Sequence, residues 1–460
     1  MKKTICLFFL VFVICWSGLA QGVRFHVKFS EPLADFQFLD NLSANAPPNI
    51  FKTTFNASKF NVEKYKHLIA EYDQLNIDYG YEYTNYPYAQ KIGGSTASLL
   101  KRNLINSSSI SEFKLASIGI IPNTDLFKLC NLLIAFEPVY QELLYQPCKE
   151  KFERQLNAIS NLADSGKLSH FFNIGFKFYH SSWDEQIPFT IALYPLVGTL
   201  HFSATAFYNN AAVSVPVDLK DNNKLISVMI HEIFHILYDE ESIDLKKRIE
   251  NTFLNNPSKN SRYAYLLLNE ALATSLGNGY VFAQLKGTED TASWYRRPYT
   301  NLMARKIYPL LKTYIATGKS IDGDFINQYI QFFDENFAGW LKKKDFIMAD
   351  RYVIADNADN FNEIDQSYPY RSMSAYDPEI TTISIEKMKR APITKIVIIS
   401  KNNRAEIELL KKQFTALKNW HPISRADFFY TVFLPDKTYL IILNNVKKNT
   451  AEQLNALKIQ

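Results

Sequence analysis

The sequence predicts an α+β fold: a mainly helical body around a small sheet, followed by a βαββα lobe at the C-terminal end. Three observations carry that expectation. Most segments up to residue 390 repeat apolar residues at helical spacing, a single hairpin pattern interrupts them between Thr199 and Val217, and from Ile393 onward strand and helix patterns alternate. The chain has 460 residues, 47% hydrophobic and 21% charged, an ordinary globular balance that can fill two or three domains.

Met1-Lys2-Lys3, the apolar run Ile5 to Cys15 and then Trp16-Ser17-Gly18-Leu19-Ala20 have the three regions of a secretory signal, so residues 1–20 are expected to be removed after Ala20. Cys15 follows Ile14 rather than a small residue, which argues against a lipoprotein. No later run is long enough to cross a membrane, so the mature chain is expected outside the cytoplasm, secreted or periplasmic, with no membrane span. Losing Lys2 and Lys3 lowers the formal charge from +5 to +3, too little to argue for nucleic acid as a partner.

Residues 21–180 read as a mainly helical N-terminal region, broken by loops such as Ala44–Asn49 and Asn106–Ser109. Tyr79, Tyr81, Tyr83, Tyr86 and Tyr88 crowd ten positions. Such a run suits packing on a strand or loop, and less often contact with a sugar or peptide. Cys130 and Cys148 lie in two expected helices, Asp125–Ala135 and Val139–Leu156, joined at Glu137-Pro138. An oxidising compartment permits them to pair, and two buried free thiols are the alternative.

Residues 181–390 hold the hairpin, with Pro216 suited to an edge or strand end, and helices around 296–316 and 322–341. In the remaining lobe, 391–460, Lys395–Ser400 reads as a buried strand, Ala405–Leu417 as an amphipathic helix, Phe428–Leu434 with Thr438–Leu443 as a hairpin, and a last helix starts at Thr450.

The most informative feature is His231-Glu232-Ile233-Phe234-His235. Two imidazoles four residues apart share one face of a helix and can bind one metal ion at about 2.0–2.1 Å per nitrogen. Glu232, one position further round, falls beside the metal, where a carboxylate can take a proton from water. Leu225–Ile230 before the motif and Ile236-Leu237 after it carry no charge, so the helix is buried on most sides. Asp221 and Asn222 are placed to cap it, and Tyr238–Glu241 ends the apolar run. A catalytic site needs a third protein ligand, and histidine is scarce: His26, His67, His170, His180 and His421 show no ligand spacing. Glu270, a lone carboxylate in the apolar helical stretch Tyr263–Thr274, is the better candidate, since an isolated buried carboxylate is costly unless paired or metal-bound.

With Asn269-Glu270-Ala271-Leu272-Ala273 as its second motif, the segment 225–276 resembles the gluzincin branch of the zincin metallopeptidases. The resemblance implies a zinc ion held by His231, His235 and Glu270, with Glu232 as the general base of peptide-bond hydrolysis. It also implies a strand beside the active helix that can pair with an extended protein or peptide substrate. Two departures stand out. Residues 236–269 separate the ligands, which places an insertion at 242–261. Thr274 stands where thermolysin-type members carry a histidine-orienting aspartate, so that support is expected from a backbone carbonyl or Asp239. Tyr280, Tyr295, Tyr299 and Tyr308 are the candidates for stabilising an oxyanion. The competing expectations are an inactive zincin-fold binding or scaffold protein, against which the intact Glu232 speaks, and a zinc hydrolase of non-peptide amides or esters. Oligomeric state is not legible.

Overall fold

The computed structural model describes residues 22–459; the expected signal segment lies outside them. The fold is α+β. Its first sheet has four strands, β1 (Phe25–Phe29), β2 (Phe189–Leu196), β3 (Ala204–Phe207) and β4 (Asn210–Pro216), in the order β1-β2-β4-β3. β1, β2 and β4 run parallel, with Phe25 opposite Phe189 and Leu193 opposite Val213. β3 is antiparallel to β4 and forms the edge. β1, which lies in the N-terminal region expected to be mainly helical, thus belongs to the sheet of the central region.

Both faces of this sheet are covered, which is why β2 and β4 are apolar without alternation. Ile191, Leu193, Ala211, Val213 and Val215 face the main core with the helix Asn223–Asp239. Ala192, Tyr194, Leu196, Phe207 and Ala212 face a second core built with the N-terminal helices. The expected hairpin is β3 and β4, shorter than its apolar pattern, and it turns at Tyr208-Asn209 rather than Asn209-Asn210. Tyr208 takes a left-handed φ of 54° there.

The expected break at Glu137-Pro138 is absent. One helix runs from Asn123 to Tyr140, widens into a π-turn over Gln141–Tyr145 and continues from Gln146 to Asp164. Pro138 cannot donate to the carbonyl of Ile134, but Ile134 is half exposed, so water reaches that turn. The consequence settles the cysteines. Eighteen positions along one helix span about 27 Å, and a disulfide needs Cα atoms within about 7 Å. Cys130 and Cys148 are both free and buried, each in a different core.

The C-terminal lobe contains the expected βαββα unit: β7 (Thr394–Ile399), the helix Asn403–Gln413, the hairpin β8 (Phe428–Phe433) and β9 (Tyr439–Asn444), and the helix Thr450–Ala456. Its sheet is larger than the sequence suggests, because β5 (Asp350–Ala355) and β6 (Met373–Asp377) extend it to the order β8-β9-β7-β5-β6. The lobe's sheet therefore begins near residue 350 and not after 390. The missed strand β5 opens with two charges, Asp350 and Arg351, yet all six of its residues are buried; Arg351 is accommodated by an ion pair with Asp365 and a 2.8 Å bond to the Met348 carbonyl.

Candidate metal centre

The helix Asn223–Asp239 carries the HExxH motif. Its first turn is set by Asp221, whose carboxylate accepts from the Asn223 N–H at 2.9 Å. Leu225, Met229, Ile230, Ile233, Phe234 and Leu237 are fully buried, so the helix is locked in rotation and its fourfold spacing presents His231 and His235 together. Gly175, in the helix Lys167–Tyr179, permits close packing behind it: a Cβ there would lie 2.4 Å from the Phe234 ring.

The second helix, Ser261–Ala273, brings Glu270, and the expected insertion is occupied by the helix Ile243–Asn255. After Ala273 the chain widens into a π-turn over Thr274–Val281. That turn presses Gly277 against the backbone of His231, leaving no space for a side chain.

His231 Nε2 and His235 Nε2 lie 3.1 Å apart. Glu270 Oε1 is 3.5 Å from His235 Nε2, and its Oε2 is 3.9 Å from His231 Nε2. Three donors at about 2.0–2.1 Å from a tetrahedral ion would stand about 3.3 Å apart, so the spacing fits. Glu270 Oε2 is buried with no hydrogen-bond partner, the state of a ligand atom awaiting a cation. Among the described residues, His231, His235 and Glu270 are the group of His, Cys, Asp and Glu whose donor atoms converge, all within 4.8 Å, and they can hold a metal ion. The other histidines do not join it.

His235 is oriented by Asn269, whose Oδ1 lies 2.9 Å from Nδ1. With that partner the Nδ1 carries the proton and Nε2 is free to ligate. The expectation of Asp239 in this role is corrected. Asp239 lies one turn below His235 but is taken by Lys91 at 2.8 Å and by the Ile92 N–H. His231 Nδ1 is buried without a well-aligned partner. Burial first, and then the neighbouring His235, hold the His231 ring well below its ordinary pKa, against the pull of the Ala273 carbonyl, and a neutral imidazole is the ligating form.

Glu232 Oε1 is 4.0 Å from His231 Nε2, beside the three donors. Burial raises its pKa to about 7, opposed by His235 and assisted by Glu270. A carboxyl poised there can accept and return a proton near neutrality.

Of the four tyrosines expected near an oxyanion, the structure brings Tyr295. Its ring stacks on His231 with centroids 5.9 Å apart and 24° between planes. Burial, then the charge of Glu270, raise its pKa far above the ordinary value, so it stays a protonated donor. Tyr299 instead donates to Asp345, Tyr308 packs on Trp294, and Tyr280 packs against the main core.

Sequence reasoning missed one partner of the site. The role of Asn269 was legible in principle, since it sits inside the second motif. The tyrosine segment forms an exposed loop strapped to the end of the first site helix. Lys91 bonds Glu240 at 2.7 Å as well as Asp239, and Gln90 accepts from the Tyr238 hydroxyl at 2.7 Å.

No protein-family model matches this chain, and no curated protein or solved structure matches it either. No helix among the described residues is long and apolar enough to cross a membrane.

Proposed function

We propose that the protein is an extracytoplasmic zinc peptidase of the gluzincin type. The observation that carries this reading is the convergence of His231, His235 and the Glu270 carboxylate, whose Oε2 is buried without a hydrogen-bond partner, with Glu232 alongside. A zinc ion on those three residues would supply Lewis acidity and bring its water's pKa towards neutrality. Glu232 takes the proton from the attacking water and returns it to the leaving nitrogen. Tyr295 offers its hydroxyl to the oxyanion. Asn269 keeps His235 in its ligating tautomer. The edge strand β3 lies beside the HExxH helix and can align an extended peptide by strand addition.

The test compares mature chain, residues 21–460, with its Glu270→Ala and Glu232→Gln variants after dialysis against a weak chelator. The reading expects about one zinc per chain in the parent, a large loss in Glu270→Ala, and retained zinc without peptide hydrolysis in Glu232→Gln. A parent without zinc, or an active Glu232→Gln, would sink it. Metal-dependent cleavage of esters or glycan-linked amides but not of peptides would move the assignment to another hydrolase.

A further inference from the structure

The edge strand β3 has two faces, and only one of them meets the HExxH helix. Ala204 and Ala206 pack on the main core, where the strand lies against the helix Asn223–Asp239. Thr205 and Phe207, on the other face of the pleat, line a cavity of about 530 Å³ between the sheet and the N-terminal helices. Phe51 and Phe202 add apolar wall, and Gln37 of the helix Glu31–Leu42 belongs to the lining from the N-terminal region. Among the described residues Lys101 is the one lysine or arginine of the lining, and no Asp or Glu belongs to it. Thr205 is exposed, so the cavity opens to solvent along β3.

The ladder between β3 and β4 fixes which residues of β3 can take a further strand. Ser203 and Ser214 form a bonded pair, the Ser214 N–H donating to the Ser203 carbonyl at 2.9 Å. Bonded and unbonded pairs alternate along an antiparallel ladder, so Thr205 and Phe207 direct their N–H and C=O groups at Ala212 and Asn210 of β4. Ala204 and Ala206 therefore point theirs to the outer edge of the sheet, where no other backbone segment among the described residues bonds to them. A peptide that pairs with Ala204 and Ala206 puts the side chains opposite them on the side of the HExxH helix. The peptide residue between those two falls opposite Thr205, on the cavity face.

We propose that this cavity receives one aromatic side chain of a peptide paired on the outer edge of β3, and that the protein selects its substrates by that residue. The proposal rests on the peptidase reading, which supplies the extended peptide. An aromatic ring leaving water for walls made by Phe51, Phe202 and Phe207 binds about tenfold better than an alanine in the same place. A lysine or arginine is refused there, because Lys101 repels it and no carboxylate of the lining compensates its lost hydration.

The experiment uses the chain 21–460 carrying Glu232→Gln, supplied with zinc and immobilised. A pool of random octapeptides blocked at both ends is passed over it, and the retained peptides are sequenced by mass spectrometry. Phe, Tyr and Trp are expected to be enriched about tenfold over Ala, with Lys and Arg depleted. Two further substitutions fill the cavity from different walls, Thr205→Trp from β3 and Gln37→Trp from the helix Glu31–Leu42, and each should abolish the aromatic enrichment. Equal retention of aromatic and alanine peptides, no retention at all, or an enrichment that survives either substitution overturns the proposal. The ratio without those substitutions is decisive even if one of them prevents folding. Incubating the same pool with the chain that keeps Glu232 separates the two readings. Cleavage with an aromatic residue at one fixed distance from the cut supports both, aromatic retention without any cleavage keeps the cavity and removes the peptidase, and cleavage with no aromatic preference removes the cavity alone.

Discussion

Gly277 and His231 are in backbone contact: a Cβ on Gly277 would stand 2.6 Å from the His231 Cβ and 2.7 Å from its Cα. The π-turn Thr274–Val281 is what brings the second site helix's extension this close, so the two ligand-bearing helices are set against one another at a point where neither can yield. Gly277→Ala must push the HExxH helix away from Glu270. It is expected to cost about 2 kcal/mol or more in stability and to weaken zinc binding together with it. Thermal unfolding with and without zinc checks both, and an unchanged melting temperature would show that the turn adapts.

Asn269 orients His235 through the 2.9 Å contact with its Nδ1. Asn269→Ala should lower zinc affinity by about 10- to 100-fold while leaving the fold intact, and Asn269→Asp should restore most of it. Competition against a chromogenic chelator reads the affinity. Equal affinity in the alanine variant would mean that packing alone holds the ring.

The cysteines give a chemical check on the long helix. Cys130 and Cys148 lie in different cores on one continuous helix, and burial raises both thiols to a pKa of about 11. The denatured chain 21–460, never exposed to reductant, should take up two alkyl groups per molecule, and the same chain in its native state should resist the reagent. A mass showing none after denaturation would reveal the disulfide and refute the helix.

Asp35 is buried in the helix Glu31–Leu42 with neither carboxylate oxygen hydrogen-bonded. Burial, then the charges of Glu31 and Glu137, raise its pKa from 3.8 to about 8. The folded chain therefore holds this proton more tightly than the unfolded chain. Its contribution to stability is fully present below pH 3.8 and is lost progressively as the pH climbs to about 8. Asp35→Asn should remove that slope and be more stable than the parent at pH 8 by on the order of 5 kcal/mol. Urea midpoints at pH 5 and pH 8 decide it, and parallel shifts in the two proteins would show that Asp35 is not the group responsible.

What was legible in the sequence was local. The HExxH spacing, the uncharged flanks and the lone Glu270 each follow from periodicity along one helix, where the next neighbour is three or four residues away. The βαββα lobe and the β3–β4 hairpin were readable for the same reason, their strands being bounded by turn residues. Pro138 misled because a proline inside a helix costs one hydrogen bond, and a solvated turn followed by a π-turn absorbs that cost. β5 was hidden because Asp350 and Arg351 look like surface residues until Asp365 is brought to Arg351.

The sequence by itself determined which residues could ligate a metal and on which helix faces they would stand, because helical geometry is set within four residues. Only the tertiary structure decided that Glu270 meets the two histidines, that Asn269 and not Asp239 orients His235, and that Tyr295 is the tyrosine of the site. Those choices depend on how two helices, a π-turn and a distant loop pack, and packing distances between segments far apart in the chain leave no periodic trace in it.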